Sequence, residues 1–116
     1  MNTRHTIFLD IDGTILEHVE NPLNESPTAL EGAADKVWKW HCMGFQIILV
    51  TGRPESMRSL TEKDLSSTGF VYDDLLMGIG QGHRILVNDI EDGLDKAHAI
   101  NVDRNVGVGN VNITLD

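Results

Sequence analysis

Two aspartates, Asp10 and Asp12, close an apolar run at Ile7-Phe8-Leu9, and Gly13-Thr14 follow at once. Two carboxylates so near each other repel, and a divalent cation with its preference for oxygen ligands offsets them. Metal-assisted chemistry on a phosphorylated compound is the reading that this spacing supports. Asp10 is the candidate nucleophile, since a carboxylate attacking phosphorus splits one hard displacement into two easier ones. Asp12 falls on the same side of an extended chain and is the candidate acid and base. Gly13 permits a sharp turn that offers backbone N–H groups to a phosphoryl group. Thr51 and Gly52 end a second apolar run and are assigned to phosphate binding. Asp89, after Ile85-Leu86-Val87-Asn88, is assigned to a magnesium site shared with Asp10 and Asp12. The ion would neutralise charge that develops on the phosphoryl oxygens.

These residues need a scaffold that brings positions 10, 51 and 89 to one place. Thr6–Leu9 reads as a short buried strand. Ser26-Pro27 has the form of a helix start, with Leu30, Ala33, Ala34, Val37 and His41 at helical spacing and Gly44 as the stop. Residues 46–50 form a continuous apolar run after Gln46, as in a parallel strand covered on both faces. A second helix is expected from Pro54 to about Ser67, ending at Gly69, and a short strand at 75–77. Ile85–Val87 reads as a further buried strand, Ala97–Val102 as a last parallel one, and residues 104–116 as a weakly specified tail. Alternating strands and helices predict an α/β fold around a parallel sheet, whose strands present their carboxyl ends at one edge.

Composition narrows the function. The chain has 116 residues, which suits one domain over 1–116, and its apolar and charged shares, 41% and 23%, are ordinary. A net charge of −9 argues against a protein built to grip nucleic acid. There is no apolar run of membrane-spanning length and no secretory pattern at the start, so a cytoplasmic location is expected. Cys42 excludes an internal disulfide and reads as a small buried helix residue. Of Trp38 and Trp40, one is expected to pack and the other to lie half exposed. The five histidines show no metal-ligand spacing.

Asp10-Ile11-Asp12-Gly13-Thr14 resembles the first motif of the haloacid dehalogenase (HAD) superfamily of phosphohydrolases. Thr51 is similar to its second motif, and Asp89 after Asn88 to its fourth. The resemblance implies a three-layer Rossmann-like fold with strand order 5-4-1-2-3, a magnesium ion and an aspartyl-phosphate intermediate. The second acid, Asp12, favours phosphoryl transfer over carbon–halogen cleavage. Two departures stand out. The loops after Thr14 and Met77 are too short for a cap domain, so the open site implies a bulky substrate or closure by a neighbouring subunit. The lysine of the third motif is absent, and Arg84 is the nearest cation, with Lys63 and Lys96 as outsiders. The stretch Gly78–Asp89 also looks like small capless members linked to surface-polysaccharide synthesis, which hints at a sugar phosphate. The expected function is a magnesium-dependent phosphatase for a small phosphate monoester. The alternatives are a catalytically weak or inactive regulatory module and a phosphatase for polynucleotide ends.

Overall fold

The computed structural model describes residues 3–115. Three parallel strands form its sheet in the order β1 (Thr6–Asp10), β2 (Gln46–Val50), β3 (Asp74–Leu76). Phe8 pairs with Ile48 and Ile48 with Asp74, so the three carboxyl ends lie level. Helix α1 (Ala33–Cys42) joins β1 to β2, and a short 3-10 turn (Glu55–Met57) and helix α2 (Arg58–Ser67) join β2 to β3. Ile47, Ile48 and Leu49 are all buried, as expected of a strand paired on both edges and covered on both faces. Helix α1 buries Ala33, Val37 and Trp40, a stripe at helical spacing, while Trp38 lies about half exposed. Helix α2 ends as expected, with Gly69 at a φ of 87°.

Several expectations need correcting, the first being burial of β1, whose Phe8 is 57% exposed. Helix α1 begins at Gly32–Ala33 and not at Ser26-Pro27. Residues 28–30 are held extended instead, because the N–H of Glu17 donates to the carbonyl of Thr28 and that of Leu30 to Ile15. Cys42 is exposed, since it falls on the outer face of the last turn of α1. Ile85–Val87 forms no strand, and Ile85 and Val87 are 86% and 89% exposed. Nor is 97–102 a parallel strand. The only strands after β3 among the described residues are β4 (Ile90–Glu91) and β5 (Leu94–Asp95), an antiparallel pair apart from the main sheet. Asp92 and Gly93, at φ 51° and 76°, make the two-residue turn between them.

The tail is pinned, not weakly specified. The N–H of Asn105 donates to the carbonyl of Gly13 at 2.8 Å, and Asn105 Oδ1 accepts from the N–H of His18 at 2.7 Å. Val108 enters the core beside these contacts. Gly107 allows that approach: its φ is +80°, and a Cβ there would meet the carbonyl oxygen of Thr14 at 2.8 Å and Leu30 Cδ1 at 2.9 Å. Gly107→Ala therefore combines backbone strain with a clash against main chain, and should cost about 2 kcal/mol or more. Urea denaturation would measure it, and a loss under about 0.5 kcal/mol would show that the clasp is loose.

Candidate active site

The turn after β1 is built by hydrogen bonds to the carbonyl of Ile11, which accepts from the N–H groups of Thr14, Ile15 and Leu16. Gly13 sits in that turn at φ 86°, and its N–H donates to Leu16 at 2.7 Å. That donor is thus committed to the turn, and Gly13 does not line the cleft beside it. The turn fixes Asp10, whose Oδ2 accepts from the Thr14 hydroxyl at 2.9 Å. Asp10 and Asp12 both face a cleft of about 540 Å³ at the carboxyl edge of the sheet, together with Thr51, Gly52, Arg53, Arg84 and Arg104.

Thr51 is buried at the end of β2, and its Oγ1 accepts the Arg53 N–H at 3.1 Å. Gly52 has a packing reason: a Cβ there would meet Gln81 Cγ at 2.9 Å. The strap of residues 79–84 passes over it and delivers Arg84, whose guanidinium lies 2.7 Å from Asp10 Oδ1. The cation nominated in place of the absent lysine is thus brought to the candidate nucleophile.

Arg53 is the residue that sequence reasoning left unassigned. Its Nε and one terminal nitrogen donate to the two oxygens of Asp12 at 3.0 and 2.8 Å, and its other terminal nitrogen to Thr61 and Asp64, both at 3.1 Å. Only 5% of Arg53 is exposed. Burial pulls its pKa down, but the hydrogen bonds and charges of Asp12 and Asp64 outweigh burial and hold it above the ordinary value. Its signal was its place directly after Thr51-Gly52, with Asp64 on the following helix.

The two ion pairs differ in kind. Asp12 is gripped by a buried, forked donor that has no other role open to it. Asp10 and Arg84 are each more than a third exposed, where such a pair contributes about 0–1 kcal/mol. Arg84 can therefore exchange Asp10 for an incoming anion at little cost. Asp89 is not brought to this place. It is exposed, lies outside the cleft lining, and among the described residues its side chain hydrogen-bonds only with its neighbour Asn88. Among the described residues no three of His, Cys, Asp and Glu are gathered to hold a metal ion. Asp10 and Asp12 could supply two carboxylates to magnesium, which commonly binds through one or two carboxylates and substrate phosphates. The expected set, with Asp89 as a third, is incomplete within one chain.

Comparisons with solved structures point to one fold. Two chains from Pnkp1/Rnl/Hen1 RNA repair complexes match at 27% and 25% identity, each with a TM-score of 0.56, over 70% and 73% of this chain. This chain spans only 27% and 32% of their lengths. A Vibrio cholerae protein solved as a structural-genomics target matches at 20% identity and a TM-score of 0.54, over 73% of this chain and 79% of its own. No curated protein matches significantly. Among the described residues no helix is long and apolar enough to cross a membrane. The family model described as PITM 1-3, LNS2 domain, matches residues 7–101, which include the cleft acids and the strap that carries Arg84. With most of its length inside that match, the chain belongs to the LNS2 domain family and has its HAD-like phosphatase fold.

Proposed function

We propose that the protein is a phosphatase for a small phosphate monoester, such as a sugar phosphate, acting through an aspartyl-phosphate on Asp10. The observation that carries this reading is the pairing at the cleft. A candidate nucleophile is held by a weak, exchangeable cation, while the second acid is fixed beside it by a strong one. An incoming phosphate draws Arg84 away from Asp10. An Asp10 oxygen then bonds to phosphorus as the bond to the leaving oxygen breaks, and Asp12 supplies the proton that this oxygen takes. In the second step water attacks phosphorus, its proton goes to Asp12, and the Asp10–phosphorus bond breaks. Arg53 orients Asp12 in both steps, and each Asp12 oxygen keeps a lone pair for the proton. Magnesium is the proposed cofactor, and when bound it would neutralise phosphoryl oxygens. Since one chain lacks the third carboxylate, no step is routed through the ion.

Two other readings have support of their own. The incomplete carboxylate set favours a regulatory module that binds a phosphorylated ligand without turning it over. The likeness to RNA repair complexes favours a phosphorylated polynucleotide end as substrate, against which the net charge of −9 counts. Phosphate release with magnesium from a sugar phosphate, p-nitrophenyl phosphate and a 3′-phosphorylated oligonucleotide separates the three. Turnover of the small esters is expected. Beryllium fluoride, a phosphate mimic, should be captured on Asp10 and be visible by fluorine NMR. Failure of both would overturn the enzymatic reading, and preference for the oligonucleotide would replace the substrate class.

A further inference from the structure

Among the described residues, 85–100 form an arm whose ion pair, side-chain hydrogen bonds and strand pairing are all internal. The ion pair is Lys96 with Glu91, the side-chain bonds are those of Asn88, and β4 pairs with β5. Both of its roots stand at the cleft, where Arg84 and Asn101 are among the lining residues. The molecule measures 49 × 29 × 27 Å. The arm exposes Ile85, Leu86, Val87, Ile90, Leu94 and Ile100. A lone two-stranded hairpin is marginal in water, and a bare apolar strand is a template for pairing.

The body carries the matching vacancy. Among the described residues strand β1 pairs only with β2, so its outer backbone edge is open, and Phe8 in its middle is 57% exposed. The arm cannot fill its own vacancy in the parallel sense. Met77 ends just beyond β3, and the N–H groups of Gly78 and Ile79 are tied to Arg53 and Thr51 at the carboxyl edge. Arg84 is tied to Asp10 at the same edge. The seven residues 78–84 thus begin and end there, whereas a parallel crossover takes about a dozen residues or more. Laid on its own β1, the segment 85–88 would run antiparallel and carry Asp89 away from Asp10.

We infer that the arm seats on β1 of a second copy of this chain and completes that copy's cleft with Asp89. In an antiparallel two-fold pair, the carboxyl edge of one sheet lies at the amino edge of the other. Each arm then starts where a parallel strand on the partner must start, and the exchange is reciprocal. Ile85, Leu86 and Val87 lie beside Ile7, Phe8 and Leu9, which covers Phe8 and brings Asn88 and Asp89 level with Asp10 and Ile11. The role given to Asp89 rests on the proposed phosphatase reading, while the exchange itself rests on the open edge and the short connection.

The test uses the full chain in a Cys42→Ser background, because Cys42 is exposed. Sedimentation should give twice the chain mass of 12.8 kDa. Phe8→Cys mixed with Leu86→Cys should oxidise to a covalent heterodimer, since neighbouring strands place Cα atoms at disulfide distance. Asp10→Asn mixed with Asp89→Asn, each inactive alone, should regain about a quarter of wild-type turnover, because half of randomly assorted pairs hold one complete site of two. A 12.8 kDa species at every concentration, or a Phe8→Cys/Leu86→Cys cross-link formed only within one chain, overturns the exchange. The two readings fail separately. Cross-linked dimers without turnover of any ester would sink the phosphatase reading and keep the exchange. Turnover by a monomer would do the reverse.

Discussion

Arg53→Met lowers the stability of the protein by about 3–5 kcal/mol in urea denaturation, because it removes one partner from a buried ionic cluster. The substitution roughly keeps side-chain length and apolar contact, so the loss is one of charge and hydrogen bonding. Asp64, nearly buried on α2, would lose its ion pair with Arg53, and Asp12 would lose the donors to both of its oxygens. Arg53→Lys recovers part of this and not all, since an ammonium group cannot serve two carboxylates and Thr61 in fork geometry. Adding Asp64→Leu to Arg53→Met should restore much of the stability, as buried ion pairs replaced together by apolar groups are often neutral. A loss below about 1 kcal/mol for Arg53→Met would mean that water reaches Asp64 and that the cluster is not sealed.

Asp10→Asn reduces turnover of the best small ester by about three orders of magnitude or more, while the fold is retained. The amide matches the carboxylate in shape and still accepts from Thr14 through its oxygen. It cannot form the acyl phosphate, so the loss falls on kcat. The contact with Arg84 contributes little to stability, so circular dichroism and the urea midpoint should stay near wild type. A variant that keeps more than about a tenth of wild-type kcat would place the nucleophile elsewhere.

How much of this was legible in the sequence depended on whether a signal was local. The apolar runs at 6–9 and 46–50 formed strands where their patterns put them, because the two pair in register within one sheet, although only the second is buried throughout. The stop at Gly69 was equally plain. Asp10 and Asp12 share a cleft with Thr51 and Gly52 because turn chemistry at two neighbouring strand ends positions all four. Arg84 arrived there through a glycine-rich strap whose course no periodicity reveals. Arg53 was hidden because its meaning lies in a contact with Asp64 across a helix. The start of α1 was misplaced because Ser26-Pro27 carries the local form of a cap while a bridge between 16 and 29 holds the chain extended. Ile85–Val87 has strand composition, but composition does not say which sheet a strand joins.

The contact between Arg84 and Asp10 has one more consequence. Arg84 is the last residue before the arm, so a tug on the arm is felt at the nucleophile. Under the exchange inferred above, pairing with another copy would both import an acid and loosen a guanidinium. Catalytic output per molecule would then climb with protein concentration and fade on dilution, which makes abundance itself a control on the chemistry.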